Sequence, residues 1–345
     1  MAENRTTYDK LITPDGQPQY GRFPQTFSEI NFQDFDFRNP MDGPVNRLQK
    51  HFGFNQFHFI GLHSQHYTVA CAVANVRYVA SAFVYLFNHE TGQIHPFSFV
   101  QPLGFRCHQS KHPFSGASRF SKGSARFEIL SLQQPNRYQL NIEIGRHIQI
   151  SAELSELEGY QPLVLCSKAG YNGWTFTQKH TALDVSGHIT WEGKKISLED
   201  HQFVASSDWS CGYMRRETAW NWTSISSILA DGTRLGLNLA CGVNETSFNE
   251  NTLWLNGTAQ ALPPCLFEFN RKQRLEPWKI RTTDNTVNLT FVPEGSHREK
   301  INAILVASNF TQLPGKYFGT IKSNSGRIIQ LEGINGLAED HYAKW

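Results

Sequence analysis

The sequence predicts an all-β protein of about two domains, its sheets either closed into barrels or stacked as sandwiches. Three observations carry that expectation. Segments of apolar–polar alternation recur along the chain, turn-forming pairs separate them, and no segment carries a long amphipathic helix. Composition agrees. Of 345 residues, 39% are hydrophobic, 13% aromatic and only 18% charged, a balance that excludes a disordered chain. Lysine plus arginine total 32 against 30 aspartate plus glutamate. That leaves no clustered basic surplus for neutralising phosphates, so nucleic acid is not an expected partner.

The chain opens with an extended arm, residues 1–51. Pro14, Pro18, Pro24, Pro40 and Pro44 fall in it with little periodicity, and proline removes ladder donors and stops helices. A short helix fits between Asp42 and His51. From Phe52 onward the pattern changes. Tyr138, Leu140, Ile142 and Ile144 alternate with Gln139, Asn141 and Glu143, and after Gly145 the series Ile148, Ile150, Ala152, Leu154 resumes it. Leu235, Leu237, Leu239 and Cys241 repeat the period, as do Val287, Leu289 and Phe291. A period of two means strands with one buried face. Glu90-Thr91-Gly92, Ser186-Gly187, Asp231-Gly232, Asn256-Gly257 and Asn324-Ser325-Gly326 supply turns, and the Asp-Gly and Asn-Gly pairs are the strongest hairpin signals. So many strands must close or stack to avoid long bare edges. Barrels and sandwiches both meet that need.

The polar N-terminus shows no apolar signal region, and no apolar run reaches membrane-spanning length. Six cysteines are scattered without a C-x-x-C pair, as expected of reduced, buried thiols. A cytoplasmic protein without a transmembrane segment is expected. Peripheral membrane contact and oligomeric state stay open.

The densest chemistry lies between Asp208 and Trp222, where three of the eight tryptophans join Tyr213, Arg215, Arg216 and Glu217. In a strand from 219, Trp220 and Trp222 share one face and Asn221 and Thr223 the other. Paired indoles make a π-rich wall suited to a cation or a flat apolar ligand. A carboxyl beside such a wall loses solvation and holds its proton to higher pH. The same tryptophans also suit a filled core, with Arg215 or Arg216 paired to Glu217 at the surface. A second polar run, Gly242 to Thr246 and then Asn249 to Trp254, suits either a barrel mouth that orients a ligand or a connecting loop. Its ligand candidates are Asn244 and Glu245. The histidines lack metal spacing, and G-x-G-x-x-G, P-loop and G-x-S-x-G motifs are missing. Neither metal nor cofactor is expected.

The strings Asp208-Trp209-x-x-Gly212-Tyr213, Trp220-Asn221-Trp222 and Leu237-Asn238-Leu239 resemble an uncharacterised, mainly bacterial family, domain of unknown function 2804. So do Gly170-Tyr171-Asn172-Gly173-Trp174-Thr175, Glu250-Asn251 before Leu253-Trp254-Leu255-Asn256-Gly257, and Gly333-Ile334-x-Gly336. More remotely the arrangement resembles the double-lipocalin carotenoid hydratases, tocopherol cyclases and lipocalin-like Diels–Alderases. The hydratase group carries a D-H-E-W motif before a G-W-D-W strand. Here the His-Glu pair is missing and Asn221 replaces the second aspartate.

The resemblance implies two lipocalin-like barrels packed together, residues 52–205 and 206–345, with Asp208 to Trp222 at their junction. It implies a greasy hollow walled by indoles, holding a hydrophobic small molecule. On that reading a cofactor-independent enzyme hydrates, cyclises or isomerises an isoprenoid, polyene or lipid-like substrate. Asp208 would donate the proton, with Glu217 the alternative. Trp209, Tyr213, Arg216, Trp220, Trp222, Asn238, Asn244 and Glu245 would bind the ligand. A non-catalytic lipid or pigment carrier, a glycan binder and a protein with filled barrels are the competing readings.

Overall fold

The computed structural model describes residues 8–133, 137–243, 247–302 and 306–345. Two large antiparallel sheets make up most of the molecule, and a parallel pair of short strands, Tyr8–Lys10 and Phe27–Glu29, lies in the arm. The alternating segments form the large sheets with the expected faces buried. Tyr138, Leu140, Ile142 and Ile144 stand opposite Leu154, Ala152, Ile150 and Ile148, and all eight side chains point into one core. Asn256 and Gly257 both take positive φ, the mirror-image turn that two-residue hairpins need, and join Thr252–Leu255 to Thr258–Ala261.

The first sheet runs in order from the strand Gln93–Pro102 through Val79–Asn88, Tyr67–Asn75, Asn55–His63, Val204–Tyr213, Gly173–Trp191, Ile148–Ser155, Arg137–Ile144, Ala125–Leu132 and Gly116–Lys122 to Cys107–Gln109. It curls until its ends meet. Gln109 donates to the Val73 carbonyl at 2.8 Å, and Gln101 to the Ser121 carbonyl at 2.6 Å. The second sheet runs from Thr258–Ala261 through Thr252–Leu255, Arg234–Cys241, Glu217–Ile228, Ile328–Lys344, Ala307–Lys322, Val287–Pro293 and Trp278–Thr282 to Cys265–Glu268. The Cys265 thiol reaches the Ala240 carbonyl at 3.3 Å as this sheet curls back in turn. The fold is therefore all-β and double-lipocalin-like. Side chains such as Leu62, Phe127 and Ile150 pack the first interior, and Leu237, Trp278 and Phe291 the second.

The arm keeps the extended character expected of its prolines. Its short helix, Arg47–Gly53, starts later than the residues 42–51 suggested, because Asn46 and Gln49 form a reciprocal cap that fixes the first turn. Leu11, Ile12, Phe27, Ile30 and Phe35 of the arm form one core with Trp174, Phe176, Trp209, Cys211 and Tyr213. This is the same face of Val204–Tyr213 that Ala205, further along, turns into the first barrel's core. The expected division at 205/206 falls inside Val204–Tyr213, a strand bonded on both sides within the first sheet. The chain changes sheets between Tyr213 and Glu217.

The two sheets meet along an apolar seam of Phe59, Ala70, Tyr85 and Phe87 against Trp222 and Leu337. Arg22 of the arm adds a polar tie, donating to the Asn251 carbonyl at 3.1 Å and to the Thr252 hydroxyl.

Trp209 is 2% exposed in the arm core and packs edge-on to Phe176. Its truncation to alanine is expected to cost about 3–5 kcal/mol in urea unfolding. A loss below about 1 kcal/mol would mean that the arm core does not hold this end of the barrel.

Candidate functional site

Strand alternation decides what faces the space between the sheets. On Gly173–Trp191, Thr175, Thr177 and Lys179 share that face while Trp174 and Phe176 turn to the arm. On Val204–Tyr213, Asp208 and Ser210 share it. Asp208 stands directly opposite Lys179 in the ladder, and Ser210 opposite Thr177. From the second sheet, Thr218, Trp220 and Trp222 face them. Together they enclose a cavity of about 200 Å³, mostly apolar, with Phe57, Phe59, Phe83 and Phe310 adding to its walls. The hollow expected inside the curled sheets is not there, because both interiors are packed; the cavity lies instead at the junction, between the barrels.

One polar cluster breaks the apolar lining. Lys179, itself buried, places Nζ 2.7 Å from Asp208 Oδ2 and 2.5 Å from Glu250 Oε1. The same ammonium lies 5.6 Å from the centroid of the Trp222 ring, within cation–π range. Burial alone would drag the Lys179 pKa down, but Asp208 and Glu250 more than offset it and hold the ammonium above its ordinary value. Asp208 receives hydrogen bonds on Oδ1 from Ser210 at 2.7 Å and Thr177 at 3.3 Å. Its pKa is nonetheless raised. Burial is the largest cause, the Lys179 charge opposes it, and the nearby Glu250 carboxylate adds to it. Asn238 holds the cluster from behind, accepting the Trp222 indole N–H at 2.8 Å and donating to Glu250 Oε1 at 3.2 Å. Across the cavity, Glu339 accepts the Trp220 indole N–H at 2.7 Å and Gln312 at 3.1 Å, while Tyr85 donates to Gln312.

Of the residues expected from the sequence, Asp208, Trp220 and Trp222 meet at this cavity, and Asn238 buttresses it. Trp209 and Tyr213 do not. They are one and five positions from Asp208, so the strand's period of two turns both toward the arm, where Tyr213 stacks among Phe35, Phe37 and Trp174. Glu217 and Arg216 sit exposed where the chain changes sheets, and Glu217 faces Lys344 at 3.8 Å. Glu217 is not among the residues that line the cavity. Arg215, beside them, reaches the cavity wall instead. Asn244 and Glu245 lie outside the described residues. Asn221, which replaces an aspartate of the hydratase motif, faces away from the cavity and donates to Asp340 at 3.1 Å.

Sequence reasoning missed Lys179, Gln312 and Glu339, and it read Glu250 within a polar run and a family string without giving it a role. Among the described residues no group of three or more His, Cys, Asp or Glu side chains gathers as a metal site, and no helix is long and apolar enough to cross a membrane.

The family model of DUF2804, a domain of unknown function, matches residues 2–345. No curated protein sequence matches the chain. Among solved structures it is similar to CghA, with 9% identity and a TM-score of 0.53 over 98% of this chain and 97% of that one. Kievitone hydratase from Nectria haematococca aligns at 12% identity and 0.52 over 84% and 89%. An AttH-like protein of Nitrosomonas europaea aligns at 13% identity and 0.50 over 84% and 92%. At these identities the likeness is one of fold.

Asp208 offers a direct check on the cluster's electrostatics. Its folded-state pKa lies above the ordinary value of 3.8, so its contribution to stability is complete below that value and is lost as pH rises through the folded-state value. Asp208→Asn removes this dependence. As pH rises above about 4, the variant should lose less stability than the native protein in urea unfolding. Parallel declines would show that Asp208 is not the group holding the proton.

Proposed function

The chain belongs to the DUF2804 family, and from that premise we propose that it binds a hydrophobic small molecule between its barrels and protonates it from Asp208. The observation that carries this reading is a carboxyl whose pKa burial raises, on the wall of an apolar cavity with two indoles opposite. The reaction class is cofactor-independent hydration, cyclisation or isomerisation of a substrate with an electron-rich double bond. The Asp208 O–H bond breaks as a C–H bond forms, leaving a cation on the substrate. The cation then adds water, closes a ring or stays in place, and in each case a proton leaves the resulting cation and returns to the Asp208 carboxylate.

Charge in the cluster follows the reaction. With Asp208 protonated, Lys179 and Glu250 form a neutral pair. After transfer the three groups carry one net negative charge beside the new cation, in a site of low polarity where such a charge acts strongly. Trp220 and Trp222 line the same space, and their π density favours a cation further. Glu339 is tied down by Trp220 and Gln312, which orients that indole. The hydratase among the structures of similar fold accords with this class of reaction.

The test begins with native mass spectrometry and organic extraction of freshly purified protein, to identify a bound apolar molecule. That molecule and its chemical precursors are then offered to native protein and to Asp208→Asn. Conversion should fall by about 10²–10⁴-fold in the variant while binding persists. Release of an unchanged ligand, with Asp208→Asn altering affinity alone, would make the protein a lipid or pigment carrier.

A further inference from the structure

A break in the sheet lies directly behind Asp208. The strands Gly173–Trp191 and Val204–Tyr213 pair regularly from Trp174–Tyr213 to His180–Ser207, and the next pair is Leu183–Ala205. Thr181 and Ala182 therefore oppose Ser206 alone, a β-bulge. Ala182 takes φ +53, a left-handed conformation disfavoured for a residue with a Cβ. Strain of this kind collects at functional positions.

The backbone groups freed by the bulge are satisfied. Thr181 N–H donates to the Tyr160 hydroxyl at 2.7 Å, that hydroxyl donates to the Thr181 carbonyl at 2.9 Å, and Ala182 N–H donates to Ser226 at 3.0 Å. Two side chains are not. Thr181 Oγ1 and Ser206 Oγ are buried without a hydrogen-bond partner, in residues only 2% and 3% exposed. Both border a second cavity of about 10 Å³, whose wall also carries Lys179, Asp208, Ser207 and Asn238. That is room for one water, and the lining supplies more than the two to four polar partners a buried water needs. Two glycines keep the hydroxyls in place. A Cβ on Gly236 would lie 1.8 Å from Thr181 Oγ1, and one on Gly61 would lie 2.7 Å from Ser206 Oγ.

The far side of this chamber is polar too. His180 borders it, with Nδ1 3.2 Å from the Tyr138 hydroxyl and Nε2 3.0 Å from Glu156. His58 Nε2 lies 3.3 Å from Ser207 Oγ and Nδ1 3.1 Å from Ser118.

We infer that the bulge holds one ordered water, bound by the hydroxyls of Thr181 and Ser206, that hydrogen-bonds the Asp208 carboxyl from the side opposite the ligand. The water joins the acid at the junction to the polar network around His180 inside the first barrel. Thr181 and Ser206 are positioning residues for Asp208. Its coupling to a protonated Asp208 rests on the acid reading above, whereas the water site itself does not.

Two measurements on the full chain test the inference. A crystal structure at a resolution that shows ordered waters should contain density within hydrogen-bonding distance of Thr181 Oγ1 and Ser206 Oγ. An empty chamber there overturns the site. Infrared spectra of native protein minus Asp208→Asn isolate the carboxylic acid stretch of Asp208. That band should move to higher frequency in Thr181→Val and Ser206→Ala, because each variant removes a partner of the bridging water. A band unmoved in both, with water present, overturns the link to Asp208. A difference spectrum with no acid band defeats the acid reading instead, and the density then still decides whether water occupies the bulge.

Discussion

A buried ammonium ties this molecule together. Lys179 sits where an unpaired charge would cost several kcal/mol, and its two carboxylate partners come from different halves. Asp208 stands opposite it in the first sheet, while Glu250 enters just before the Thr252–Leu255 strand of the second. The requirement to pair that charge therefore fixes how one barrel meets the other. It also fixes the site. The residues that satisfy Lys179 are those that line the cavity, and the burial that makes their pairing necessary also raises the pKa of Asp208.

The cavity's position has a simple origin. Each curled sheet spends its inner face on its own core, so what is left for a ligand is the outer face of one sheet against the outer face of the other. Phe57, Phe59 and Phe83 point outward from the first barrel, and Trp220 and Trp222 from the second. A strand covered on both faces loses the clean alternation of a half-solvated one. That is why Val204–Tyr213, buried at every position, gave a weaker pattern than Arg137–Ile144, whose outer face is wet.

Much of the architecture was legible in the residues. The alternation from Tyr138 to Leu154 and the Asn256-Gly257 turn led directly to the observed hairpins, and Asp208 stood out as an acid among indoles. The partners of that acid were harder to see. Trp209 and Tyr213 looked like ligands because they are close in sequence, although the period of a strand sends them to the opposite side from Asp208. Lys179 gives no signal as a lysine. What marks it is its phase, shared with Thr175 and Thr177 while Trp174 and Phe176 occupy the alternate positions, and that phase is informative only once both faces of the strand are known to be buried. Glu339 and Gln312 lie on a long hairpin far along the chain, and nothing local connects them to Trp220.

The arm carries a cost in the order of synthesis. Phe27 and Phe35 leave the ribosome early, yet the aromatic surface they cover, from Trp174 to Tyr213, is made much later. Arg22 waits longer still, since its acceptors at Asn251 and Thr252 lie 229 and 230 residues downstream. Until Tyr213 has been made, the nascent chain displays a phenylalanine-rich ribbon without the surface that covers it. Such a segment is a ready client for holding chaperones until its cover has been made.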